Sequence, residues 1–132
     1  MKLCVDFEWR DIGFVRVETG RLRFPDAGEA PGLYKFDLGD RVYIGETDRL
    51  KRRFQHYRTP GVRQPTNLRL NAVILELTAA GAPIGVAVVT DAIIEVDGHS
   101  ATLNLAYKSA RLLVENAALT AEQLSGRRVE NL

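Results

Sequence analysis

Four side chains in one short stretch carry chemistry. Tyr34 and Tyr43 each sit in a run rich in aromatic and β-branched residues, 33–36 and 41–44. Asp37-Leu38-Gly39-Asp40 between the runs supplies turn chemistry, so the stretch reads as a β-hairpin whose second strand Gly45 ends. Arg53 follows ten residues after Tyr43, and Tyr57 four residues after Arg53. The segment around them repeats apolar residues at helical spacing, Leu50, Phe54 and Tyr57, and Thr47 or Asp48 can cap it. A guanidinium stays charged and offers a planar fork of donors to phosphoryl oxygens. Two phenols on the same side of adjacent strands can hold one water between them. A free phenol ionises at about 10, too high for a general base unless a cation lowers it. The chemistry in view is attack of water on a phosphoryl group, while propensity alone reads the same tyrosines as half-buried strand aromatics.

Cations gather around these residues. The 132-residue chain has a formal net charge of +1, which gives no global case for a polyanionic partner. Between Asp48 and Leu70, however, stand Arg49, Lys51, Arg52, Arg53, Arg58, Arg63 and Arg69, with Asp48 the only acid. Phosphate binding uses such local excess, although a solvated helix face has the same composition. His56 lies about 100° around the helix from Tyr57 and reads as a surface residue beside any phosphate contact. His99, in a turn, carries no specific signal.

Stepping outward, an apolar fraction of 45% with 27% charged residues is ordinary for one globular domain with a real core. No apolar run approaches the ~20 residues of a membrane span, and the N-terminus lacks a signal-peptide pattern, so the expected location is the cytoplasm, with no membrane partner. The single cysteine, Cys4, has no internal disulfide partner and reads as a small apolar strand residue. No Cys/His cluster has zinc spacing. Strands are expected over 3–9, 13–17 and 21–24, with Trp9 as a packing anchor and 25–31 as a loop. A helix over 68–80, capped by Thr66 or Asn67, buries Leu70, Val73, Ile74 and Leu77 and leaves Glu76 off that stripe. The apolar run 83–89 fits a buried strand, 92–96 a further one before the Asp97-Gly98 turn. A last helix over 105–119 presents Ala106, Ala110, Leu113 and Ala117 inward and carries Glu115.

Gly32-Leu33-Tyr34, then Tyr43-Ile44-Gly45, then Arg53 in a basic helix closely resembles the GIY-YIG nuclease family. Leu33 in place of isoleucine is the only departure in the two triplets. Tyr57 looks more like the nuclease domain of the excision-repair endonucleases than like the homing endonucleases, which use histidine there. The resemblance covers 32–132 and leaves 1–31 as an N-terminal β extension of unassigned role. It implies an α+β fold of order β-β-α-α-β-α, a mostly antiparallel sheet of about three strands flanked by helices.

The resemblance further implies a metal-dependent endonuclease hydrolysing phosphodiester bonds of nucleic acid, DNA before RNA, in a setting such as DNA repair. Mg²⁺ is the implied cofactor, with Mn²⁺ as a substitute, and Glu115 its ligand; one carboxylate suits an ion that keeps waters and substrate oxygens around it. Tyr34 is the implied base and Tyr43 its positioning partner, though the residues themselves do not separate these roles. Arg53 would contact the scissile phosphate, Tyr57 would face the same cleft, and Asn131 would support substrate or site. Arg49, Arg52, His56 and Arg58 join Arg53 and Asn131 as nucleic-acid contacts. Glu46, an acid directly after the second triplet, opposes phosphate binding unless it points away or helps with metal. Specificity is expected from DNA shape, a protein partner or residues 1–31. The alternative is a nucleic-acid-binding or scaffolding module that keeps the fold and cleaves nothing.

Overall fold

The computed structural model describes residues 1–130. Four short strands, β1 (Leu3–Asp6), β2 (Arg10–Phe14), β3 (Arg16–Glu18) and β4 (Arg21–Arg23), precede the hairpin β5 (Gly32–Asp37) and β6 (Arg41–Thr47). Then come α1 (Leu50–Arg58), α2 (Pro65–Ala79), β7 (Gly85–Val89), β8 (Ala92–Val96), β9 (His99–Leu103), α3 (Lys108–Leu124) and β10 (Arg128–Val129). The fold is α+β. Its central sheet has five strands in the order β10-β6-β5-β7-β2, antiparallel except where β10 runs parallel to β6. A second sheet, β1-β8-β9, and the β3-β4 hairpin stand apart from it.

Period-two alternation along β5 decides what covers each face. Tyr34 and Phe36 enter one core with Leu50, Phe54 and Tyr57 of α1 and Leu70 and Ile74 of α2. Leu33 enters the other, with Val42 and Ile44 of β6 and Val114 and Ala118 of α3. Helices therefore lie on both faces of the sheet, and the hairpin feeds side chains to each.

Several expectations shift. Residues 1–31 are built into the domain, since β2 pairs with β7, β1 pairs with β8, and Val15, Leu22 and Ala27 are buried in the first core. The expected strand over 13–17 is split at Val15, between β2 and β3, and within β2 Gly13 at φ 130° accompanies a register shift in the β2-β7 pairing. His99 opens β9 rather than lying in a turn; Asp97 and Gly98, both at positive φ, close a tight hairpin that the sequence reading left without its second strand. Gly45 does not end β6, which continues to Thr47. Cys4 lies in β1 but is exposed. Pro65 opens α2 at its first turn, where a missing N–H costs nothing, with Gln64 and not Thr66 or Asn67 at the cap. No cap side chain bonds α1, although Thr47 Oγ1 accepts the Arg49 N–H just before it at 3.2 Å.

The largest correction is in α3. Its buried residues are Arg111, Val114 and Ala118, one step away from the apolar stripe of Ala110, Leu113 and Ala117. A charged residue occupies a core position because a carboxylate and two carbonyls receive it. Among the described residues no helix is long and apolar enough to cross a membrane.

Candidate active site

The two glycines of the hairpin motif are fixed by close approach. Gly45 lies directly across from Tyr34 in the β5-β6 register, and a Cβ there would fall 2.3 Å from the Tyr34 hydroxyl oxygen. A Cβ at Gly32 would fall 2.1 Å from the Val89 carbonyl oxygen of the next strand. Glycine at 45 thus lets the Tyr34 ring lie over the strand and aim its hydroxyl past it. Tyr43 pairs across with Phe36, not with Tyr34, so the two tyrosines are diagonal neighbours on one face with ring centroids 6.3 Å apart.

From α1, Arg53 meets these phenols. Its Nε donates to the Tyr34 hydroxyl at 3.1 Å and to the Tyr57 hydroxyl at 3.2 Å. The two hydroxyls are 2.5 Å from each other. Helical spacing places Tyr57 one turn after Arg53, where it is fully buried, its carbonyl accepting from Asn71 Nδ2 of α2 at 2.6 Å. Tyr57 therefore stands behind the cleft as the support of Arg53 and Tyr34. Among the described residues the terminal nitrogens of Arg53 have no hydrogen-bond partner and Arg53 makes no ion pair, which leaves the fork of its guanidinium to the cleft.

Burial controls the protonation of this group. It raises the Tyr34 phenol to about 12, with Tyr43 adding to the rise and Arg53 opposing it. Burial also raises Tyr43, helped by Tyr57, and raises Tyr57, helped by Tyr34. For Arg53, burial pulls the guanidinium down, yet the phenols of Tyr34 and Tyr57 outweigh it and the net shift is upward. At neutral pH the site is one positive charge among neutral phenols.

A cleft of about 520 Å³ opens between α1, the edge of β6 and α3, lined by Tyr34, Tyr43, Glu46, Arg53, Glu115 and Glu130 among others. Among the described residues β10 pairs only with Arg41 and Val42, which leaves the edge of β6 from Tyr43 onward without a strand on that side. Groups from both faces of the sheet can meet around that edge. Three of the lining residues are acids, and their situations differ. Glu46 accepts from Arg111 Nε at 2.6 Å, and Arg111 also donates through Nη1 to the carbonyls of Leu105 and Ala106, each at 3.0 Å. Glu130 accepts from Arg41 Nη1 at 2.5 Å. Glu115 alone has no ion-pair partner among the described residues, and burial first, then the charge of Glu46, raise its carboxyl.

That donor set fits a hard divalent ion. Among the described residues no group of three or more His, Cys, Asp and Glu side chains is placed to hold a metal. One uncommitted carboxylate at a cleft open to water is the arrangement Mg²⁺ accepts, since it retains most of its waters. Glu46, the acid expected to oppose phosphate binding, is paired with Arg111, which offsets part of its charge, although Glu115 still feels it. Nothing in the sequence reading anticipated Arg111 or Glu130. The available signal was the four-residue spacing of Arg111 and Glu115 on one helix, which places a buried cation one turn before the free acid.

Of the expected site residues, Tyr34, Tyr43, Arg53 and Glu115 line one cleft, and Tyr57 hydrogen-bonds within it from behind. The expected nucleic-acid contacts at and on α1 are partly engaged: Arg49 bonds Glu29 and Arg52 bonds Asp48, while the neighbouring Lys51 lies 3.7 Å from Glu29. His56 is half-buried and Arg58 exposed. Glu76 is exposed on α2 and does not line the cleft. Asn131 lies outside the described residues. No family model, no curated protein and no solved structure matches the chain.

Proposed function

We propose that this chain is a metal-dependent endonuclease of the GIY-YIG type, hydrolysing phosphodiester bonds of nucleic acid, with DNA the first substrate to test. The observation that carries the reading is the charge pattern of the cleft. Of the ionic side chains lining it, Arg53 and Glu115 are the two without an ion-pair partner among the described residues, and they flank Tyr34 and Tyr43. A phosphate and a divalent cation supply the missing counter-charges. The element order supports the same reading, since β5-β6-α1-α2-β7-α3 follows the family's β-β-α-α-β-α, with the β8-β9 hairpin inserted before α3.

In this reading the guanidinium fork of Arg53 holds non-bridging oxygens and stabilises the charge that builds on them as water attacks phosphorus. Tyr43 orients that water, and Tyr34, once its own phenolic proton has passed to solvent, accepts the water's proton as phenolate while the P–O bond to the leaving oxygen breaks. Tyr57 and Asn71 keep the acceptor and the guanidinium in register. Bound at Glu115, Mg²⁺ would neutralise the phosphoryl and leaving oxygens and lower the pKa of nearby water and phenol. Tyr34 at about 12 keeps its proton at neutral pH in the metal-free protein, so proton transfer depends on that loading.

The raised phenols favour a second reading, a module that binds nucleic acid through Arg53 and the basic helix without cutting it. Supercoiled plasmid, branched DNA and RNA incubated with Mg²⁺ or Mn²⁺ separate the two. Metal-dependent cleavage that disappears in Tyr34→Phe, Arg53→Ala and Glu115→Ala supports the nuclease. Binding with no cleavage of any substrate supports the module.

A further inference from the structure

A second concavity, of about 490 Å³, lies on the other side of α1, between that helix and the segment after β4. Its rim carries Arg23, Lys51 and Arg58, with Asp26 the one acid; Phe24 and Phe54 form its floor. The Asp26 carboxylate is turned to the backbone, accepting the Gly28 N–H at 2.9 Å. Arg23 pairs with Glu18 at 3.0 Å and Lys51 with Glu29 at 3.7 Å, both in exposed pairs that hold their partners weakly. Arg58 has no ion-pair partner among the described residues. The concavity thus offers three cations that an anion can recruit, over an aromatic base.

The helix joins this concavity to the cleft. Successive residues turn by about 100°, so Arg53, Arg49, His56, Arg52, Gln55, Lys51 and Arg58 follow one another around the solvent side of α1. Leu50, Phe54 and Tyr57 occupy the buried remainder. The path from the cleft to the second concavity therefore carries Arg53, Arg49, Arg52, Lys51 and Arg58, interrupted by the uncharged Gln55 and with Arg49, Lys51 and Arg52 in exposed pairs with Glu29 and Asp48. The path around the solvent side of a helix about 10–12 Å across is about 20 Å, the length of about six nucleotides of a B-form strand at ~3.4 Å each.

We propose that this groove is a second nucleic-acid subsite, in which Arg23, Lys51 and Arg58 hold backbone phosphates of the strand whose scissile phosphate lies at Arg53. The inference rests on the nuclease reading for the position of the scissile phosphate, and it gives residues 1–31 a part in substrate binding. Small anions alone do not suit the arrangement, because the cations are spread along a rim and not converged on one point.

The test uses the full chain with Arg23→Gln/Arg58→Gln, both exposed positions, beside wild type and Arg53→Ala. Fluorescein-labelled single-stranded and duplex oligonucleotides are titrated in chelator between about 50 and about 200 mM salt. Losing two phosphate contacts should weaken binding at least tenfold at the lower salt and flatten the log–log salt slope by about 1.4 to 1.8. With Mg²⁺ present, the same variant should raise KM and keep kcat. The single-stranded and duplex arms identify which form fills the groove. A wild type that cuts while the double variant keeps its KM and salt slope overturns the subsite and leaves the nuclease reading standing. A wild type that binds but never cuts, with the double variant losing slope as stated, removes the nuclease reading and keeps the subsite. Salt-independent binding, or none, overturns it as well.

Discussion

Arg53 and Arg111 are both drawn away from solvent on helices that flank one cleft, and their neighbours differ in kind. Arg111 meets the Glu46 carboxylate at 2.6 Å and two carbonyls at 3.0 Å. Arg53 meets two phenol oxygens, at 3.1 and 3.2 Å, and no carboxylate. The first charge is cancelled within the fold. The second is held in place by neutral groups and left for something outside the chain. Withdrawing an ion from water costs several kcal/mol, in order-of-magnitude terms, unless a counter-charge is supplied. Arg111 docks α3 onto β6; in the proposed reading Arg53 receives an anion.

The sharpest break in that comparison is a crossing of effects. Arg53→Ala is expected to lower cleavage by about 10³- to 10⁵-fold, the range for a transition-state arginine, while thermal denaturation keeps Tm within a few degrees. Arg53→Lys should not restore the rate, since an ammonium lacks the planar fork. Arg111→Ala leaves the half-buried Glu46 and two carbonyls without their partner and is expected to cost about 3 kcal/mol, lowering Tm by on the order of 10 °C. Replacing both partners, Glu46→Gln with Arg111→Met, should recover most of that loss. If Arg111→Ala denatures like wild type and Arg53→Ala unfolds early, the assignment of roles is reversed.

How much of this was legible beforehand follows the same line. The resemblance singles out Tyr34, Tyr43, Arg53 and Tyr57, and hairpin and helix periodicities suffice to place them near one another, within about one turn or one strand pair. The N-terminal strands are legible as strands but their partners are not, because pairing of β2 with β7 depends on contacts more than seventy residues apart in the chain. Arg111 is missed for a related reason. An apolar-stripe rule cannot place an arginine inward when the carboxylate that admits it stands 65 positions away. Glu115 was read from resemblance and not from its own pattern, and what singles it out is the pairing of Glu46 and Glu130 elsewhere.

A smaller effect probes why Tyr34 reaches Arg53 at all. In Gly45→Ala the new methyl meets the Tyr34 hydroxyl and ring carbon, at 2.3 and 2.4 Å before relaxation. Either ring or strand must shift, at about 1–3 kcal/mol by analogy with overpacked cores. Cleavage should fall with stability, and Tyr34→Phe should not relieve the clash, since the ring carbon remains. Wild-type activity in Gly45→Ala would show that the Tyr34 position is not required.

The smallest effect concerns the other uncompensated charge. Glu115 is held above the ordinary carboxyl value by burial first and by Glu46 second. Its proton is bound more tightly in the folded chain than in the unfolded one. The stabilisation this gives is fully present below the unfolded value of 4.5 and is lost as pH rises through the raised folded value. At about pH 7 an ionised Glu115 therefore weighs slightly against folding until a cation meets it. Glu115→Gln should raise Tm modestly at that pH in chelator and change it little at about pH 4, where both side chains are neutral. Mg²⁺ should raise the wild-type Tm by mass action and leave the variant's where it was. A variant that responds to Mg²⁺ as the wild type does takes the ion away from Glu115, and with it the symmetry between one free guanidinium and one free carboxylate across the cleft.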